Sequence, residues 1–157
     1  MRKTFFEELH KLMTIDDKVF ALTGDLGYIG FDKIRDDYPN RFINCGASEF
    51  SMLGIACGLA QDGKRPFVYS ITPFLLYRPF EMLRTYVNHE KIPVVLCGSG
   101  RDNDYLHDGY SHDATDAKQI LDCLPNIVQH WPESKEEIPE LLEKLHKDVP
   151  HFISLRR

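Results

Sequence analysis

A chain of 157 residues, 43% hydrophobic and 27% charged, is long enough for one domain with a real core and too apolar to stay disordered. Its 19 Lys and Arg stand against 24 Asp and Glu, a formal charge of -5, which argues against a dedicated nucleic-acid binder because no basic excess is present to neutralise phosphates. No apolar run approaches the roughly 18–20 residues that cross a bilayer, and Glu7 and Glu8 stand where a signal peptide needs an apolar stretch, so a cytoplasmic protein is expected.

Phe5, Phe6, Leu9, Leu12 and Met13 lie at helical spacing and predict an amphipathic helix over residues 3–14. An alternation of short apolar runs and helical segments follows. Strands are expected at 18–23, 41–45, 66–71, 93–98, near 127–128 and at 152–155. Helices are expected at 31–37, 48–60, 79–90, 114–123 and around Ile138, Leu141, Leu142 and Leu145, with Pro79 suiting a first helical turn. Loops fill 24–30, 71–78 and the polar stretch 99–111. This order implies a single α/β domain over 1–157, three layers α/β/α around a mainly parallel sheet. In such sheets sites gather beyond the carboxyl ends of the strands, which selects the loops 24–30, 45–49, 71–78 and 98–112.

Cys45, Cys57, Cys97 and Cys123 show no C-x-x-C pair and lie in apolar surroundings, so reduced, buried thiols are expected rather than a disulfide frame or a zinc site. The segment 48–60 is apolar nearly all round, with Gly54 and Gly58 offering bare surface for close packing, and is expected to be buried. Its one carboxylate, Glu49, sits in the first turn. It either complements the helix dipole or is a buried carboxyl able to donate a proton or a hydrogen bond. Phe74 and Tyr77 either pack in the core or form a stacking wall for a flat heteroaromatic ligand. His107, Asp108, His112 and Asp113 admit a metal site, a solvated loop, or a polar contact from His112 to a substrate. Gly24, Gly27 and Gly30 form GxxGxxG, which is neither a P-loop nor a dinucleotide fingerprint.

Three segments taken together carry a resemblance. Gly24-Asp25-Leu26-Gly27, then Arg41-Phe42-Ile43-Asn44-Cys45-Gly46-Ala47-Ser48-Glu49 with the apolar helix that follows it to Ala60, then Asp108-Gly109-Tyr110-Ser111-His112, resemble the pyrimidine-binding domain of transketolases and deoxyxylulose-phosphate synthases. The likeness runs from about residue 18 to Arg157, and the block around Glu49 is its specific part. The resemblance implies the thiamine diphosphate-binding fold and thiamine diphosphate as cofactor. The glutamate matching Glu49 would hydrogen-bond N1′ of the aminopyrimidine and drive the imino tautomer that deprotonates the thiazolium, so that a two-carbon ketol unit passes from a ketose to an aldose. It also implies Glu49 and His112 as catalytic residues. Cofactor contacts would come from Glu49, Asp25, Phe74, Tyr77 and Ile71, the last standing where the family has an aromatic. His112 and Asp25 would touch substrate.

The family's diphosphate and Mg²⁺ domain and its third domain are not in this sequence. The resemblance therefore implies one subunit of a split transketolase-like enzyme. Its partner would be a diphosphate-binding subunit holding Mg²⁺, in a two-plus-two hetero-oligomer that covers Phe74 and Leu75. Departures fall on positions of substrate recognition: Tyr110 and Ser111 replace Pro and Thr, Gly100 stands at a position often His, and Ile29 at one often Ser. Other expectations compatible with the sequence are a subunit of a 2-ketoacid decarboxylase or acyloin-forming enzyme, a non-catalytic module that kept the fold, and a metal-dependent hydrolase.

Overall fold

A computed structural model describes residues 1–157. In chain order the elements are α1 (Arg2–Ile15), β1 (Val19–Thr23), α2 (Asp32–Asp37), β2 (Phe42–Asn44), α3 (Glu49–Gln61), β3 (Arg65–Ile71), α4 (Thr72–Tyr77), α5 (Phe80–Met82), β4 (Val95–Ser99), α6 (Ala117–Asp122), β5 (Val128–His130), α7 (Ile138–Lys144) and β6 (His151–Leu155). The six strands form one sheet in the order β2-β1-β3-β4-β6-β5, and every pairing is parallel. Parallel neighbours need a crossover, and helices supply it on both faces.

Alternate side chains of each strand feed two cores. Leu22, Val68, Leu96 and Phe152 point to the face covered by α3, α4 and α6. Ala21, Phe67, Tyr69, Val95, Cys97 and Ile153 point to the face covered by α1, α2 and α7. The stripe Phe5, Phe6, Leu9 and Met13 seats α1 on that second core. The 3-10 turn Lys135–Glu137 that leads into α7 opens on a capping box in which Ser134 and Glu137 satisfy each other's backbone N–H groups. This is the three-layer α/β/α architecture that the alternation of elements predicts.

Four local expectations are corrected. Residues 72–77 are not loop but α4, because Pro73 pre-sets the first helical turn and Thr72 Oγ1 donates to the carbonyl of Gly100 at 2.6 Å. The stretch 79–90 is only briefly α-helical, then continues as a π-helix over Leu83–His89. The helix α3 is not buried all round: Phe50 is 49% and Ile55 42% exposed on its outer face, and a Cβ at Gly58 would meet nothing within 4 Å. Cys57 and Cys97 are buried, but Cys45 is half-buried and Cys123 exposed, since Cys123 lies just past the end of α6.

Candidate active site at the carboxyl edge of the sheet

From β1 the chain crosses to β2 on one side, then returns through α3 to β3 on the other side of β1. The carboxyl ends of β1 and β3 are thus the switch point of the sheet, where crossovers diverge and leave a crevice. Glu49, the first residue of α3, points into it and is 1% exposed. Its carboxylate does not cap its own helix. Oε1 accepts from Ser70 Oγ near the end of β3 at 3.0 Å, and Oε2 accepts from Arg78 Nη1 at 2.8 Å. Gly24, at the end of β1, closes the third side: a Cβ there would lie 3.2 Å from Glu49 Oε1.

Arg78 follows α4 directly and stands over Phe74, its guanidinium carbon 3.6 Å from the ring centroid. Phe74 and His112 meet in a T-shaped contact, centroid to centroid 4.8 Å. His112 Nδ1 is 3.1 Å from Ser111 Oγ. One contact chain therefore runs Ser70, Glu49, Arg78, Phe74, His112, joining three segments that are distant in sequence. Arg78 and Ser70 were not singled out from sequence. A lone cation closing the apolar run TPFLLYR was the available signal for Arg78.

The other anticipated residues are placed nearby but not in that chain of contacts. Asp25 is exposed with φ 61, and its loop is tied to β2 by two bonds: the Asp25 N–H donates to Asn44 Oδ1 and Asn44 Nδ2 donates to Asp25 Oδ1, each 3.1 Å. Ile71 is the last residue of β3 and the cap of α4. The Tyr77 hydroxyl donates to Asp116 ahead of α6, and burial, then that carboxylate, push its phenol upward. Leu75 is fully buried and needs no cover. His107 faces Asp108 and Arg157 rather than His112, and no group of three or more His, Cys, Asp or Glu side chains is placed to hold a metal ion.

Loop 99–113 is held from below by Arg101, whose guanidinium donates to Ser154 Oγ, the carbonyls of Ser154 and Pro132, and Glu133 Oε1, all within 2.7–3.0 Å. Above it, Tyr105 accepts from Arg2 Nη1 at 2.8 Å. On the α1 side of the same sheet edge is an open cavity of about 770 Å³ floored by Phe6 and Tyr69 and rimmed by Arg2, Lys3, Lys33 and Arg157. Residues 27–30 also line it, so one loop serves both the cavity and, through Gly24, the carboxylate.

This architecture is shared with known proteins. The family model described as "Transketolase, pyrimidine binding domain" matches residues 1–157. The chain belongs to the transketolase pyrimidine-binding domain family. It is 32% identical over 129 residues to the "Putative transketolase C-terminal section" of Methanocaldococcus jannaschii, covering 82% of this chain and 41% of that protein. It is 30% identical over 141 residues to the 1-deoxy-D-xylulose-5-phosphate synthase of Clostridium perfringens (strain ATCC 13124), covering 89% of this chain and 22% of that protein. A solved structure described as "Split gene transketolase, inactive beta4 tetramer" superposes with a TM-score of 0.85 at 25% identity, over 99% of this chain and 51% of that one. The pyrimidine-binding domain described here thus spans less than half the length of these curated relatives. No helix in it is long and apolar enough to cross a membrane.

Proposed function

We propose that this chain is the pyrimidine-binding subunit of a split, thiamine diphosphate-dependent transketolase-like enzyme that moves a two-carbon ketol unit from a ketose to an aldehyde acceptor. The observation that carries the reading is Glu49: a carboxylate 1% exposed, at the switch point, joined through Arg78 to the aromatic face of Phe74. A buried carboxylate is costly unless paired, so one is kept where it has a specific partner to hold. The residues suit an aminopyrimidine, because a planar N–H donor, the Arg78 guanidinium, already satisfies both the carboxylate and the ring face.

When bound, thiamine diphosphate supplies the electron sink for breaking a carbon–carbon bond beside a carbonyl. Glu49 would hold a proton at the pyrimidine nitrogen, with Ser70 fixing the carboxylate's orientation. Phe74 would give the ring its stacking surface, with Tyr77, Ile71 and Asp25 placed around the crevice. His112, packed against Phe74, would present its imidazole to the reacting substrate. The basic rim of Arg2, Lys3, Lys33 and Arg157 suits a substrate whose far end is anionic, in keeping with the phosphate in the name of the Clostridium perfringens relative.

The partner would be a separate diphosphate-binding subunit that supplies the Mg²⁺ site, in a two-plus-two assembly. Support comes from the names of the relatives, a C-terminal section and a split-gene transketolase, and from the outward apolar side chains Phe50 and Ile55 of α3, the helix that Glu49 opens. Four free cysteines agree with a reducing, cytoplasmic setting. The test is reconstitution: this chain alone should bind thiamine diphosphate weakly and turn nothing over, and a co-expressed diphosphate-binding subunit should restore ketol transfer in a heterotetramer. Micromolar binding or turnover by the chain alone would overturn the split-site reading.

A further inference from the structure

We propose that Arg78 is the gate of the Glu49 site: a planar cation that takes the two contacts an aminopyrimidine would take, and that yields only to a ligand able to replace it in both. The proposal rests on the thiamine diphosphate reading and adds to it the device that closes the site and selects what enters.

Two surfaces define the site, and Arg78 uses each of them. Its Nη1 donates to Glu49 Oε2 at 2.8 Å, and its guanidinium carbon stands 3.6 Å from the Phe74 centroid. A guanidinium is flat, delocalised and weakly hydrated, so it stacks on an arene and hydrogen-bonds along its edge at the same time. An aminopyrimidine presents the same combination, a flat face with an N–H edge. The two are competitors for one place.

The pair is unequal in its freedom to move. Glu49 is 1% exposed and its other oxygen is held by Ser70, whereas the Arg78 side chain is 45% exposed. Arg78 sits at the carboxyl end of α4, and the buried Pro79 follows it, so its backbone is anchored while its side chain borders water. Swinging the guanidinium outward returns a charge to solvent at little cost. Moving Glu49 would strand a charge in the core. The ligand therefore displaces the arginine and not the glutamate.

Selectivity follows from the double contact. An ammonium ion could answer the carboxylate but leaves the Phe74 face uncovered. An apolar ring could cover Phe74 but leaves a buried carboxylate without a partner, which is the more expensive failure. Until a ligand with both features arrives, Arg78 keeps Glu49 paired.

The experiment uses the full chain alone and the free aminopyrimidine half of thiamine, the hydroxymethyl derivative, titrated by calorimetry at neutral pH. The proteins are the unmutated chain, Arg78→Ala, Arg78→Gln and Glu49→Gln, each checked for folding by circular dichroism. Removing the competitor should tighten binding by about tenfold in Arg78→Ala. Arg78→Gln, which keeps the side chain's length without its charge, should show a smaller gain and serves if the alanine variant does not fold. Affinity equal to or below that of the unmutated chain in the folded Arg78 variants overturns the gate. If binding is present in the unmutated chain and lost only in Glu49→Gln, the cofactor reading survives that failure. Absence of binding in every protein, the folded Arg78→Ala chain included, overturns the gate, while the cofactor reading stands or falls with the reconstituted pair.

Discussion

Gly24 and Glu49 meet across the end of the sheet: a Cβ on Gly24 would stand 3.2 Å from Glu49 Oε1 and 3.6 Å from Ser70 Oγ. Position 24 thus has room for the Ser70–Glu49 hydrogen bond and for little else. Gly24→Ala should cost about 1–2 kcal/mol of stability, the low end for overpacking, because the neighbours need to give by only a few tenths of an ångström. It should weaken binding of the aminopyrimidine half of thiamine by several-fold, since the group that gives way is the carboxylate. Paired denaturant melts and calorimetry check this. A loss of stability with unchanged binding would show that the methyl group is absorbed elsewhere.

Glu49→Gln separates electrostatics from packing. The substitution keeps the shape and a hydrogen bond to Ser70 but ends the charge pair with Arg78. Because Arg78 is half-exposed and can turn to water, the expected cost is about 1–2 kcal/mol, below that of breaking a fully buried pair. In the reconstituted enzyme the same change should slow deuterium exchange at cofactor C2 on the order of 10²–10⁴-fold, the scale for losing a positioned acid–base group. NMR after acid quench measures it, and exchange within threefold of the unmutated enzyme would remove Glu49 from the mechanism.

Gly100 is a test of the loop that carries His112. Its φ is +83, and a Cβ there would fall 2.4 Å from the ring of Tyr105. Gly100→Ala should therefore cost about 1–2 kcal/mol in backbone strain alone and more through the clash. In a Tyr105→Ala background the clash vanishes and only the backbone cost is left, so the two changes should be clearly non-additive in denaturant melts. Strict additivity would mean that the ring moves aside freely.

Acid should loosen the far edge of the sheet. His151 Nε2 lies 2.9 Å from the carbonyl of His146, which can only accept, so that nitrogen carries the proton. His151 Nδ1 then accepts from His130 Nε2 at 2.9 Å. Burial, then the neighbouring His151, lower His130 to about 4, and burial lowers His151. Both rings are thus held neutral in the fold, while the unfolded chain takes up protons below about pH 6.5. Stability should be flat above that pH and fall between about pH 6.5 and pH 4, by at most about 1.4 kcal/mol per pH unit for each proton. His130→Asn should flatten the slope in that window. An unchanged slope would place the acid sensitivity in other groups.

The fold was legible because burial on both faces gives parallel strands a continuous apolar signal, as in 66–71 and 93–98. What escaped was local. The stretch 71–78 read as loop where Pro73 starts α4, because six residues are too few to show helical periodicity. Phe50 and Ile55 read as core because hydropathy does not record which face of a helix the rest of the chain covers. The candidate site was legible at Glu49, Phe74 and His112, which the structure brings into one line of contacts. Arg78 escaped because its meaning depends on Glu49, a residue distant in sequence whose carboxylate is reached only once α4 is laid beside α3.

The all-parallel ladder has a kinetic consequence. Ala21 pairs with Phe42, Leu22 with Val68 and Leu96 with Phe152, and no two strands are joined by a hairpin. Each rung must await closure of a long loop, which places such topologies well above the microsecond range of helical bundles. Gly24, Glu49 and Ser70 meet only when β1 and β3 have docked with α3 across them. No early, local intermediate can carry this site. A ligand that binds there is selective for the finished sheet, and its binding free energy is felt as resistance to unfolding along the whole chain.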